Sequence, residues 1–121
     1  MSKGKKITLW IVSILLAAMF VFSGGIKLLQ PGQVKPMFVH YGYAPWFATL
    51  IGVSEALGAI GLLVPRLAGI AAIGLSIIMA GAVYTHFSHQ EFGHGMIPVV
   101  LLALLIGIAY ARFKEDSTPG Q

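Results

Sequence analysis

Three ionisable residues in apolar surroundings are the groups in this sequence that could do chemistry: Lys27, Glu55 and His86. Glu55 lies near the centre of an otherwise uncharged apolar run, residues 46–64. An acidic side chain at the centre of a bilayer costs roughly 2.5–3.5 kcal/mol on insertion scales, so it usually faces a partner, a cavity or a proton path. We therefore expect these three residues to bind a ligand or handle protons inside a membrane protein.

Side-chain direction places the three groups in one layer. Helical Cα–Cβ bonds tilt toward the helix N-terminus, so Lys27 and His86 lean into the membrane, while Glu55, on a helix of opposite direction, leans toward them. Lys27 and Glu55 differ in depth by roughly 11 Å at 1.5 Å per residue. A long lysine side chain, helix tilt or a bridging water could close that distance.

The neighbours on the same helical faces are mostly small, which favours either a pocket or a close helix contact. The predicted pocket lining is Phe20, Gly24, Gly52, Ala59, Met79 and Ala82.

Each of the three polar residues also has a purely structural interpretation. Lys27 and Glu55 could form an ion pair that specifies the bundle, with Lys27 otherwise extending toward the interface. His86 could exchange protons near neutral pH, or it could be a hydrogen-bonded interfacial histidine. The sequence leaves both interpretations open.

Metal and haem sites are not predicted. The histidines and the acid of residues 86–94 match no established zinc pattern, and we interpret this run as a polar loop. A b-type haem would need two opposed histidines within the spans, where His86 is the only candidate. There is no nucleophile triad and no phosphate loop, so no catalytic residue is assigned.

Composition excludes a soluble domain. The chain has 121 residues, of which 57% are hydrophobic and 10% charged, more apolar surface than so small a soluble fold could bury. It contains no cysteine, so any redox role must use a bound molecule. The net charge of +4 comes from cations that flank apolar runs, and no soluble basic face is left to bind nucleic acid. The expected partner of this surface is the lipid bilayer.

Four segments approach the roughly 20 residues that cross a bilayer: residues 7–29, 46–64, 67–87 and 96–111. The second and third are joined only by Pro65 and Arg66, which forces a helical hairpin. We predict an all-α, four-helix transmembrane bundle that forms a single domain over residues 1–121, with a frayed polar tail at 115–121.

Charge asymmetry predicts the orientation of the bundle. Residues 7–29, which three lysines precede, are interpreted as a retained first span, because the uncharged run is too long for a signal peptide. Most cations fall on one side, so both termini should be cytoplasmic in the cell (inner) membrane. On the other side, residues 30–45 carry aromatics that form an interfacial belt or, alternatively, a re-entrant or surface helix. The cations on the terminal side are Lys3, Lys5, Lys6, Arg66, Arg112 and Lys114.

The chain resembles the DoxX-like family of small four-helix membrane proteins. The resemblance lies in FSGGIKLL (22–29), SEALGAIGLLVPRLAG (54–69) and a third span ending in YTHF (84–87). Carried over to this sequence, the family pattern selects Lys27, Glu55 and His86. The resemblance implies association with quinone-linked sulfur oxidation, redox-stress complexes, quinone resistance or membrane chaperone activity.

Three functions follow as hypotheses. The first is a redox-associated subunit or binding protein that holds a quinone-like ligand between the helices, at most as the membrane subunit of a quinone-linked oxidoreductase with a redox protein partner. The second is a non-enzymatic chaperone or assembly factor whose small-residue faces grip another membrane protein. The third is a small proton-coupled exporter.

Overall fold

The computed structural model describes residues 2–116, and every regular element in that range is an α-helix. Four of the helices are long and apolar enough to cross a membrane, and the short α2 is the exception. The predicted all-α bundle with four candidate membrane spans is confirmed. The helices are α1 (Lys3–Leu29), α2 (Pro31–His40), α3 (Pro45–Leu62), α4 (Ala68–Ser88) and α5 (Phe92–Asp116).

The helix bounds differ from the predicted spans most clearly in α5. This helix begins at Phe92, four residues before the predicted start of the fourth span. The interpretation of residues 86–94 as a polar loop is therefore wrong for most of the run, because residues 86–88 end α4 and residues 92–94 begin α5. Pro98 consequently lies inside the helix rather than at its start, where its ring removes one backbone hydrogen bond. The predicted polar tail lies outside the described residues from residue 117 onward.

Residues 31–40, in the segment between the first two spans, form the short helix α2. Proline at its first position provides a favourable backbone angle for starting the helix. Its end is a Schellman motif: Gly42 has a φ of 91°, and the Tyr43 N–H donates to the carbonyl of Phe38 at 2.8 Å. The Phe38 and Tyr43 rings, 6.1 Å apart, supply the apolar contact that accompanies this motif.

The helices pack in a ring in which α1 lies against α3, α3 against α4, and α4 against α5, while α1 and α5 barely meet. The side chains inside the ring are large aliphatic residues, one aromatic and several alanines, and most side chains outside it are exposed apolar groups suited to lipid. The core cluster is Leu9, Leu16, Ala17, Phe20, Ala59, Leu62, Ala72, Leu75, Met79, Leu105, Ile108 and Ala109.

Candidate functional site

A buried ion pair joins α1 to α3. The Lys27 Nζ lies 2.8 Å from Oε1 of Glu55 and also donates to the Ser23 hydroxyl at 2.7 Å. That hydroxyl lies 3.2 Å from each carboxylate oxygen. Ser23 and Lys27 are four residues apart and therefore share one face of α1. Glu55 is 2% exposed and Lys27 18%, so the carboxylate depends on its α1 partners whereas the lysine reaches the edge of the bundle.

Two glycines bring the backbones of α1 and α3 together beside this pair. A Cβ atom added at Gly24 would lie 2.6 Å from the carbonyl oxygen of Gly52, and one added at Gly52 would lie 2.9 Å from Cβ of Lys27. Any larger residue would push the helices apart. The space that these small residues provide is therefore filled by the neighbouring helix.

The other residues of the predicted pocket lining lie mostly in the core. Phe20, Ala59 and Met79 belong to the core cluster, and Ala82 is partly exposed on α4. Open grooves lie between α4 and α5 and between α1 and α5, and their walls come from other residues. Ligand binding by the predicted lining stays a prediction.

His86 is part of a second polar group at the opposite end of the bundle from the termini. Its Nδ1 lies 2.8 Å from Oε1 of Glu91, and the Tyr41 hydroxyl donates to the same oxygen at 2.5 Å. We call these three residues the Tyr41–Glu91–His86 set. It joins the end of α2 to the α4–α5 turn. The structure thus pairs Lys27 with Glu55 but gives His86 a different carboxylate, one close to it in sequence.

The backbone explains why Glu91 reaches His86. Gln90 adopts a φ of 60°, and the Glu91 N–H donates to the carbonyl of His86 at 2.8 Å. This is again a Schellman motif, which closes α4 and turns the chain back on its last turn. The same two residues are therefore joined by a backbone and a side-chain hydrogen bond.

The hydrogen bonds of this set shift the pKa values of Glu91 and Tyr41, which both lie outside the spanning helices. Donation from Tyr41 and then from His86 lowers the pKa of the Glu91 carboxyl below its ordinary value. The hydrogen bond to Glu91 raises the pKa of Tyr41 to about 12. At neutral pH the set therefore holds an ionised carboxylate between a phenol donor and an imidazole donor.

Other rings surround this set. The His89 ring lies 4.9 Å from that of Tyr41 and 6.0 Å from that of His40, and the His94 ring lies 6.2 Å from that of His86. Within residues 2–116 no group of three or more histidine or acidic side chains is placed to hold a metal ion. These rings pack around the set. His89 Nδ1 is 2.9 Å from the carbonyl oxygen of Thr85.

Sequence reasoning missed three members of these groups: Ser23, Tyr41 and Glu91. Ser23 carries a usable signal, because a hydroxyl four residues before a lysine shares its helical face. Glu91 follows His86 by five residues, which is the spacing across a Schellman motif. The left-handed position of that motif is usually glycine, so glutamine at position 90 does not predict it. Tyr41 comes into place only through the fold of α2, which no local pattern encodes.

The chain is similar to known proteins over most of its length. The sequence model of the DoxX-like family matches residues 11–108, a range that contains both polar groups. The uncharacterized protein YdgD of Bacillus subtilis (strain 168) is 31% identical over 97 residues, which cover 75% of this chain and 84% of that relative. No solved structure matches the chain. Because the family match spans most of the sequence and confirms the resemblance, this membrane protein belongs to the DoxX-like family.

Proposed function

We propose that the protein is a redox-associated membrane binding protein for a small hydrophobic ligand of the quinone class, with His86 exchanging a proton with the ligand's polar head. The observation that carries this proposal is the Tyr41–Glu91–His86 set, in which one carboxylate oxygen accepts hydrogen bonds from a phenol at 2.5 Å and an imidazole at 2.8 Å. As a subunit of a quinone-linked oxidoreductase, the protein would contribute this binding and proton-handling step.

The chemistry follows from the donor and acceptor roles. An ionised carboxylate can only accept hydrogen bonds. Nδ1 of His86 must therefore carry a hydrogen and donate it in the hydrogen bond to Glu91. Nε2 of a neutral His86 is then an acceptor, which suits the hydroxyl of a quinol. Nε2 of a protonated His86 donates instead, which suits the carbonyl of a quinone, and the Glu91 carboxylate accepts from Nδ1 in both forms.

An apolar, aromatic wall adjoins this polar set. The rings of Phe38 on α2, Tyr43 in the loop that follows, and Phe47 on α3 lie 5.3–6.1 Å apart. Pockets for hydrophobic cofactors combine such a wall with a few polar groups that fix orientation. His86 is 23% exposed, which leaves part of its ring accessible to a ligand that arrives from the lipid.

Glu55 and Lys27 take a supporting role in this proposal. Both oxygens of Glu55 are within hydrogen-bond distance of Ser23, and one also contacts Lys27. This geometry favours an ion pair that fixes α1 against α3 over a direct contact with ligand.

The test begins with protein extracted from native membranes into lipid nanodiscs, followed by mass spectrometry of the small molecules and proteins that remain bound. A short-tailed benzoquinone and its quinol are then titrated onto wild type, His86→Gln and His94→Gln. His94→Gln is the matched control, because the His94 ring lies 6.2 Å from that of His86 and the structure gives no hydrogen bond between His94 and Glu91 among the described residues. We expect His86→Gln to weaken quinol binding about tenfold, the loss of one hydrogen bond to a partly charged group. Equal binding by all three proteins would refute the role of His86.

One observation favours the assembly-factor alternative. Added Cβ atoms at Gly25 and Gly81 would meet nothing within 4 Å, so these helix surfaces could receive a small-residue contact from another membrane protein. A copurifying protein that is lost in Gly25→Leu or Gly81→Leu, with no bound quinone, would select this function instead.

A further inference from the structure

A groove of about 950 Å³ separates α1 from α5 at the end of the bundle that holds both termini; we call it the terminal groove. Its mouth is polar and carries Ser2, Lys5, Thr8 and Lys114. Its inner part is apolar and is formed by residues such as Val12, Leu104 and Gly107. The groove exists because α1 and α5 close the helix ring with little contact. It lies at the opposite end of the bundle from His86.

The groove is confined to one leaflet of a bilayer. Its walls run from Ser2 to Val12 on α1 and from Ala103 to Lys114 on α5, which is about 15 Å of helix at 1.5 Å per residue. The hydrocarbon core of a bilayer is about 30 Å thick. A partner helix or a second copy of the chain would contact a spanning helix along its whole length, whereas a lipid occupies one leaflet.

The charge at the mouth favours an anion. Lys5 and Lys114 stand on opposite walls, and the Lys114 ammonium lies 5.8 Å from the ring centre of Tyr110, another wall residue. The first turn of α1 contains no acidic residue, so the positive end of its macrodipole adds to the two lysines. Glu115 and Asp116 follow in sequence, but the formal charge of the terminal end stays positive because six cations precede or flank them.

We propose that the terminal groove binds one anionic phospholipid, with the phosphate between Lys5 and Lys114 and one acyl chain along the apolar walls. The arrangement joins a charged mouth at headgroup level to an apolar channel that extends into one leaflet. This inference does not depend on the proposed quinone function. The bound lipid fills the gap between α1 and α5 and thereby closes the helix ring.

Native mass spectrometry of the full chain tests the proposal. The protein is released from nanodiscs that contain phosphatidylglycerol and phosphatidylcholine with identical acyl chains, and bound lipids are counted. We expect one retained phosphatidylglycerol in preference to phosphatidylcholine. The Lys5→Gln/Lys114→Gln variant should lower that preference about tenfold, since a lysine near an anionic headgroup contributes a several-fold gain in affinity.

Matched variants separate the groove from general charge. Lys3→Gln/Lys6→Gln removes the same charge from the same end without touching the groove walls and should retain the lipid. Gly107→Leu adds a side chain where a Cβ atom meets nothing within 4 Å, so it should fill the groove and expel the lipid without unfolding the bundle. Gly74→Leu, another open helical glycine away from the groove, controls for the added side chain.

Three results would overturn the proposal. The first is equal retention of the two lipids by wild type, and the second is full retention of phosphatidylglycerol by Gly107→Leu. The third is a protein dimer or partner complex that Gly107→Leu dissociates, because it would assign the groove to a protein. Circular dichroism of every variant establishes that a lost lipid reflects a filled groove and not a lost fold.

Discussion

At Glu55 the cost of a buried carboxylate is offset by donors from a single neighbouring helix. The Lys27 ammonium supplies the opposite charge at 2.8 Å, and Ser23 supplies a hydroxyl to the same carboxylate. Pairs of this kind are strongly destabilising to break but contribute little when both partners are replaced together, because most of their energy repays desolvation. The two partners are not equivalent, since only Lys27 reaches the surface.

We expect Lys27→Met to destabilise the protein by about 3 kcal/mol, because it leaves the Glu55 carboxylate buried without its cation. Glu55→Gln should cost less, because its amide still accepts from Ser23 and Lys27 can extend to the interface. The double variant should cost less than the sum of the two. Unfolding in mixed detergent measures all three. Lys35→Met is the control, and a Lys27→Met cost no larger than that of the control would contradict the prediction.

Acid should weaken the Tyr41–Glu91–His86 set. The folded-state pKa of Glu91 lies below its ordinary value of 4.5, first because of the Tyr41 hydrogen bond and then because of His86. A lowered carboxyl pKa stabilises the fold above the unfolded value, and that stabilisation is lost as pH falls through the folded value. Melting temperatures measured from pH 6 to pH 3 should therefore fall less in Tyr41→Phe than in wild type.

Tyr84→Phe is the control for this comparison, because Tyr84 is 72% exposed. A Tyr41→Phe variant with the acid sensitivity of wild type would show that Glu91 does not depend on the phenol.

The sequence predicted the proximity of Lys27 and Glu55 but not the composition of the Tyr41–Glu91–His86 set. The direction of helical side chains brought Lys27 and Glu55 to a common layer, because both lie inside long, regular helices. The same reasoning aimed His86 at Glu55, yet its hydrogen bond goes to Glu91. Lys27 and His86 both lie in the last turn of their helices. The difference arises because the chain after α4 turns back on that last turn and brings Glu91 to His86, whereas the chain after Lys27 continues into α2.

Two helix ends decide how the polar end of the bundle is built. Gly42 ends α2 and Gln90 ends α4, both with positive φ. These turns place Tyr41 and Glu91 on opposite sides of one hydrogen bond. Only glycine adopts such angles without steric cost from a Cβ atom.

Substitutions at the two helix ends should change the stability of the fold in opposite directions. Gly42→Ala puts a Cβ atom at a φ of 91° and should destabilise the fold by about 1 kcal/mol, although nothing lies within 4 Å. Gln90→Gly relieves the same strain at a φ of 60° and should stabilise it by about 0.5–1 kcal/mol. Thermal unfolding in detergent measures both changes, and a shift of the same sign in the two variants would be inconsistent with this explanation.

Helix existence was predictable and helix ends were less so. Long apolar runs identify the four spanning helices, since an uncharged stretch of roughly 20 residues is typical of a helix that crosses a bilayer. The start of α5 was placed too late because Phe92–Gly95 is polar or glycine-rich in sequence, and only its packing on the end of α4 makes it helical. The helical form of residues 31–40 was open for a related reason, since Pro36 and Gly32 weaken any local helix signal.

Over the whole molecule, cations concentrate at the end that holds both termini. Four spanning helices return the chain to the side where it began, and six of the eight lysines and arginines lie there. The cation bias of loops sets the orientation of membrane proteins. We infer that this end faces the cytoplasm.

Reporter fusions test this orientation. A fluorescent protein that folds only in the cytoplasm should fluoresce when fused after residue 121, and alkaline phosphatase fused there should be inactive. Fused within the α4–α5 turn, near Gln90, the two reporters should give the reverse result. The opposite pattern would place the terminal end, and with it the terminal groove, on the outer side of the membrane.

The buried ion pair also bears on how the chain enters the membrane during synthesis. Lys27 and Glu55 both precede α4, and their contact involves only α1 and α3. The nascent chain can therefore neutralise its most costly intramembrane charge as soon as the second spanning helix is inserted. Translocation machinery need not hold an exposed carboxylate in lipid while the remaining half of the protein is made.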